Sequence, residues 1–323
     1  MIKKFGFALL CAFFLMNVCA ANGGAAFARQ GKLKVVCTIF PAYDWVRCIA
    51  GEETADLTLL MDKGVDLHSY QPSVADVAKI SDCDVFIYVG GESDGWVDGI
   101  LKEKKNKDMV VINLLAALGD AVKEEEALEG MEEEHDDHDH EEEGPEYDEH
   151  VWLSLKNAAA LCRYIAEQMS SADLDNAPRY RSAAAAYEAR LKALDAQYAE
   201  TVRTASLKTL LFGDRFPFRY LADDYGLNCY AAFPGCSAET EASFKTIVFL
   251  ARKMDELRLP VVMTIDGSDG RIAETVIQNT AKKNQKVLTL NSMQSVTARD
   301  VTGGATYLSL MESNLETLKK ALN

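Results

Sequence analysis

Val35-Val36-Cys37-Thr38-Ile39-Phe40, then Asp44-Trp45-Val46-Arg47-Cys48-Ile49-Ala50, then Asp56-Leu57-Thr58-Leu59-Leu60 read as strand, helix and strand in succession. The same alternation continues, with strand-like runs at 84–89 and 109–114 and helical ones at 73–80 and 96–104. A second series begins after residue 205. Its strands are predicted at 209–212, 228–231, 261–265 and 286–290, and its helices at 216–225, 241–257, 271–282 and 307–321. Such alternation predicts mostly parallel sheets covered by helices on both faces. The chain is therefore expected to be α/β, with two lobes, each holding a central sheet. Between the series lie helical stretches at 155–169 and 178–202. Pro178 suits a first helical turn, and 25 residues at 1.5 Å each make a rod of about 37 Å. That length suits a rigid connecting helix bridging both lobes; a two-helix hairpin packed on one lobe is the alternative. The expected organisation is a signal peptide over 1–28, a lobe over 32–120, an acidic His-rich loop over 121–149, a helical part over 150–204 and a second lobe over 205–323.

At 323 residues, the length alone also suggests two domains, at about 150 residues each. Lys and Arg number 34 against 50 Asp and Glu, a net charge of -16, which excludes a phosphate-tracking basic surface and with it nucleic acid. The charge is concentrated: 121–149 holds 16 acidic residues and one base, Lys123, leaving a net of only -1 elsewhere. A cationic partner fits that segment.

Lys3 and Lys4 precede an apolar run over 5–18, shorter than the roughly 20 residues that cross a bilayer. Small residues follow, as in a signal peptide cleaved after Ala20 or after Ala28. Export to a periplasmic or other extracytoplasmic location is implied, and lipidation at Cys19 would make the protein a membrane-anchored lipoprotein. Six further cysteines remain, Cys37, Cys48, Cys83, Cys162, Cys229 and Cys236. No close pair has metal-ligand spacing. Cys229 and Cys236 are the nearest couple, but no disulfide is assigned.

All five histidines precede the second lobe. His135, His138 and His140 alternate with carboxylates in a tract without apolar anchors, which predicts disorder and a capacity to capture metal through imidazole. A solvated acidic linker is the alternative. His68 lies in Asp66-Leu67-His68-Ser69-Tyr70-Gln71-Pro72-Ser73, after a strand and ahead of a helix that Ser73 and Asp76 cap. His150 lies in Asp148-Glu149-His150-Val151-Trp152-Leu153-Ser154. Taken alone, each reads as a surface or capping histidine.

Together these motifs change the weighting. Residues 66–73 resemble the D-P-H-x-Y-x-P-S motif, and residues 148–154 the D-P-H-x-W-L motif, of the metal-specific solute-binding proteins of ABC importers. The acidic His-rich loop ahead of the second motif is similar to the zinc branch of that family, and a long helix joining two lobes is a family trait. The resemblance implies that His68 and His150 are metal ligands. It also implies a third ligand just after the first strand of the second lobe, where ungapped counting from Tyr225-Gly226-Leu227 reaches Arg215, a residue that cannot coordinate a cation. Asp214 is the expected substitute, followed by Glu241 and Glu239, with Asp266 also at the strand-end rim. A fourth family ligand falls near Asn291, which offers at most an amide oxygen.

The expected function is a binding protein, not an enzyme: H-E-x-x-H and a Gly-rich phosphate loop are both missing. The cargo implied is Zn2+, with Mn2+ as alternative, delivered by a monomer to the permease of an ABC transporter. A further alternative is a paralogue with an altered cleft in which only the loop binds metal.

Overall fold

The computed structural model describes residues 31–131, 146–237 and 242–323. The first sheet has the order β2-β1-β3-β4, formed by β1 (Leu33–Cys37), β2 (Ala55–Leu59), β3 (Val85–Tyr88) and β4 (Val110–Asn113). All its pairings are parallel. Helices α1 (Phe40–Ala50), α2 (Val74–Asp82), α3 (Val97–Lys102) and α4 (Leu114–Leu118) connect and follow these strands. The second sheet repeats the plan as β6-β5-β7-β8, from β5 (Thr209–Phe216), β6 (Asn228–Pro234), β7 (Val261–Ile265) and β8 (Lys286–Leu290). It too is parallel throughout, as expected when every strand is followed by a helix.

Strand β1 stops earlier than the sequence predicts. Pro41 occupies the first turn of α1, where its missing N–H leaves no carbonyl unpaired, so Phe40 begins the helix. Strand β5, conversely, runs past the predicted 212 to Phe216, with a register shift between Phe212 and Arg215. Gly213 permits this: a Cβ there would lie 2.5 Å from Ala273 Cα, on α9 (Arg271–Gln278). The extension places Asp214 and Arg215 on a strand rather than in a loop.

Helices α5 (Leu155–Ala172) and α6 (Ala177–Thr204) combine both expectations for the middle of the chain. They pack against each other as a hairpin, and α6 also packs on α1 of the first lobe and on α7 (Arg219–Tyr225) and α11 (Tyr307–Ala321) of the second. Tyr198, on α6, donates its buried hydroxyl to the Met311 carbonyl at 2.6 Å. The remaining helices are α8 (Phe244–Leu257) and α10 (Ala298–Thr302). One buried apolar cluster runs through both lobes, from Val35 and Phe86 to Phe212, Met263 and Leu315.

The acidic segment is more ordered than expected at both ends. Glu125 N donates to Glu146 O and Asp148 N to Lys123 O, each at 2.9 Å. Leu128 and Met131 pack on the core, and Arg219 pairs with Glu126 at 2.7 Å. Residues 121–131 and 146–149 are therefore held in place by backbone hydrogen bonds, packing and an ion pair. The signal peptide and His135, His138 and His140 lie outside the described residues. Among the described residues, no helix is long and apolar enough to cross a membrane, and the six cysteines Cys37 to Cys236 are free thiols.

Candidate metal site

Parallel strands bring their carboxyl ends to one rim, where loops form sites in open α/β sheets. His68 follows β2, Ser93 follows β3, Arg215 sits near the end of β5, and Cys236 and Gln294 follow β6 and β8. Both rims face one another across a cavity of about 450 Å³ lined by Asp66, His68, Asp214, Arg215 and Asp266.

His68 sits in a single 3-10 turn, Leu67–Ser69, whose start Asp66 caps by accepting from His68 N at 3.0 Å. His150 precedes a second such turn, Val151–Leu153, and is completely buried. This second turn is fastened to the far lobe: Trp152 Nε1 donates to Ser292 O at 2.8 Å, and Tyr307 donates its hydroxyl to Trp152 O at 2.6 Å. Tyr220 donates to Asp148 O at 2.8 Å and accepts from Lys123 N at 3.0 Å, aligning the two roots of the acidic segment.

The two imidazoles meet with Nε2 atoms 3.2 Å apart. Asp148 Oδ1 accepts from His150 N at 2.8 Å and lies 3.0 Å from its Nδ1. An ionised carboxylate only accepts, so Nδ1 carries a proton and Nε2 is directed at His68. On the other side, His68 Nδ1 lies 2.8 Å from Ser93 Oγ and 3.6 Å from Glu149 Oε2. Both rings are thus oriented through their outer nitrogens, the usual support of metal-binding histidines.

Without a cation, two opposed lone pairs at this separation are unfavourable, and one shared proton relieves them. Burial and the neighbouring His150 push the His68 ring down to about 3. Burial also opposes charge on His150, but Asp148 outweighs it and its pKa is raised. Asp148 thus favours a proton on His150, and burial disfavours one on His68. With the Gln294 amide turned so that its nitrogen donates to Asp66 Oδ1 and Oδ2 at 3.1 and 3.3 Å, its oxygen faces His150 Nε2 at 3.3 Å; that orientation satisfies the network. Glu149, 3% exposed, is pushed up to about 7 by burial. Its Oε1 accepts from Ser93 N at 2.9 Å, whereas the buried Oε2 has no hydrogen-bond partner.

The second-lobe expectations fare differently. Among the described residues, the one group of three His, Cys, Asp or Glu donors lying within 4.8 Å of one another is His68, His150 and Cys236. Asp214 lines the cavity but does not join this group; its oxygens accept from Arg215 N at 2.8 Å and Ile265 N at 3.4 Å. Arg215 reaches across to Asp66 at 2.6 Å. Burial opposes ionisation of Asp66, but that guanidinium overrides it and holds the carboxyl below its usual range. Asp266 accepts from Ser292 Oγ at 2.7 Å and from Ser295 Oγ, pinning the loop that carries Gln294. Asn291 turns its Oδ1 to Met293 N at 2.8 Å. Glu241 and Glu239 lie outside the described residues. Cys236 and Gln294 are not marked by any sequence motif; their only signal is position, two and four residues beyond a strand end.

Two parallel α/β sheets with a paired-histidine rim define a two-lobed solute-binding protein. A family model described as "Zinc-uptake complex component A periplasmic", ZnuA, matches residues 35–321, and the chain belongs to that family. It is 35% identical over 315 residues to the zinc-binding lipoprotein AdcA of Streptococcus pneumoniae TIGR4, covering 97% of this chain and 59% of AdcA. It thus spans well under two thirds of that relative. Over 328 residues it is 29% identical to the high-affinity zinc uptake system protein ZnuA of Bacillus subtilis, covering 100% of this chain and 99% of the other. The Zn(II)-bound ZnuA-like domain of S. pneumoniae AdcA superposes with a TM-score of 0.70 at 31% identity, over 90% of this chain and 99% of that one.

Proposed function

We propose that this protein is an exported receptor that captures Zn2+ between its lobes through His68 and His150 and delivers it to the membrane permease of an ABC transporter. The spacing of the two Nε2 atoms, 3.2 Å, carries the reading. Two Zn–N bonds of about 2.0–2.1 Å at a tetrahedral angle separate their nitrogens by about 3.3–3.4 Å, so the rings need almost no movement to share a zinc ion. Asp148 fixes the donor tautomer of one ring and Ser93 orients the other. Binding replaces the shared proton with a metal ion, and no covalent chemistry is involved. Membership of the ZnuA family and the zinc named for its relatives support this cargo.

In this reading the leader over 1–28 directs export, the receptor acts as a monomer, and His135, His138 and His140 raise the local metal concentration. The test is to load a variant lacking residues 132–145 with zinc, dialyse it extensively and measure metal per chain. One retained zinc, lost in His68→Ala and His150→Ala, is expected. No retained zinc would leave the acidic tract as the sole metal binder and refute capture between the lobes.

A further inference from the structure

We propose that Cys236 supplies the third ligand as a thiolate, and that this sulfur confines the site to thiophilic divalent cations, zinc above manganese. The inference rests on His68 and His150 binding metal, as proposed above, and adds the second lobe's contribution.

The local backbone is shaped to deliver this side chain. Strand β6 ends at Pro234, and Gly235 turns the chain against the His150 ring. A Cβ at residue 235 would lie 2.9 Å from Phe216 O and 3.1 Å from His150 Cε1, too close for any side chain. The next residue is Cys236, whose N–H donates to Glu125 Oε1 at 3.1 Å. Its sulfur and one nitrogen of each histidine fall within 4.8 Å of one another. In a tetrahedral zinc site, with Zn–S about 2.3 Å and Zn–N about 2.0–2.1 Å, sulfur and nitrogen lie about 3.5–3.6 Å apart. Each sulfur–nitrogen separation in the triad therefore exceeds that of such a site by at most about 1.3 Å.

Asp66, Asp214 and Asp266 have other duties. Asp66 is held by Arg215, Asp214 by the backbone of Arg215 and Ile265, and Asp266 by two serines. The second lobe's described donors toward the paired imidazoles are accordingly one thiol and, beside His150 Nε2, the neutral Gln294 amide oxygen. Nitrogen and sulfur donors suit zinc, whereas manganese favours carboxylate, carbonyl and water oxygens. A carboxylate in place of sulfur would reverse that bias.

Cobalt(II) provides the test, because a cobalt–thiolate bond has a near-ultraviolet charge-transfer band that cobalt–imidazole and cobalt–carboxylate bonds lack. The full-length protein is loaded with cobalt and dialysed until only tightly held metal remains. The expected spectrum has that band together with tetrahedral visible bands, and zinc displaces both. Cys236→Ser, whose folding is checked by thermal unfolding, should lose the charge-transfer band and about 10–100-fold or more in zinc affinity, at least the cost of removing a supporting group. Cys236→Asp should narrow the preference for zinc over manganese. Tight cobalt binding without the band, or a Cys236→Ser protein with unchanged zinc affinity, overturns the thiolate while leaving the paired histidines standing. Failure of the wild-type protein to retain any metal overturns both.

Discussion

Asp148→Asn isolates the electrostatic support of the site without removing a ligand. Asp148 is 3% exposed, and its Oδ1 takes both N–H groups of His150, at 2.8 and 3.0 Å. An asparagine oxygen preserves both contacts and deletes only the charge. That charge is the leading influence raising the pKa of His150, against burial that lowers it, so the variant's Nε2 is a weaker donor to metal. Loss of an outer-shell carboxylate behind a metal-binding histidine typically weakens affinity by about 10–100-fold, which is roughly 1.4–2.7 kcal/mol. Competition with a chromophoric zinc chelator at neutral pH measures the effect, and thermal unfolding of the metal-free protein confirms that the fold survives. A further signature accompanies it: the shared proton leaves His150 more readily, so zinc binding should release fewer protons at mildly acid pH. Zinc affinity within threefold of wild type would refute the view that Asp148 powers His150.

Three other outcomes follow from the same geometry. Burial pushes Asp94 up to about 6 although Val89 and Gly90 N–H groups oppose the shift; its stabilising contribution is therefore full below about pH 4 and lost as pH rises through 6. The stability difference between wild type and Asp94→Asn should change across that window in urea titrations and be flat above pH 7. Arg215→Ala removes the pairing of Asp66 across the rim and should cost about 1.5–3 kcal/mol, as for a hydrogen bond to a charged group, read as a lower urea midpoint. Trp152→Ala empties a completely buried site and breaks the bond to Ser292 O, at about 3–5 kcal/mol, a large part of the 5–15 kcal/mol usual for a domain; an unchanged melting temperature would contradict the cross-lobe role of Trp152.

Much of the fold was legible because it is written in local pattern. Each predicted strand of the second lobe corresponds to a strand at nearly the predicted place, and Pro178 marks the start of α6. The misjudged ends have tertiary causes: β5 continues because Gly213 lets Ala273 approach, and 121–131 is ordered because it pairs with 146–148 and with Arg219. The histidines were legible as motifs, since each is placed by its own segment. Which second-lobe side chains approach them was not, because that depends on which strand ends converge across the rim. Asp214 looked suitable by composition and proximity, yet the strand aims its carboxylate at backbone amides of β5 and β7. Cys236, 86 residues from His150 in sequence, becomes its neighbour only through folding.

The same burial that makes this rim costly when empty makes it receptive to a cation. Asp148 and Glu149 are each 3% exposed and His150 fully buried, while the strongest fixed positive charge at the rim, Arg215, is already paired with Asp66. Taking a carboxylate out of water costs several kcal/mol unless a partner compensates. Burial pushes Glu149 up to about 7, and the two imidazoles meet in a hydrogen bond of 3.2 Å. In the proposed function, a divalent ion at the Nε2 atoms would place two charges where both rings already point. The cross-lobe bonds of Trp152 and Tyr307 hold the turn that follows His150 and so fix the backbone from which its ring reaches His68.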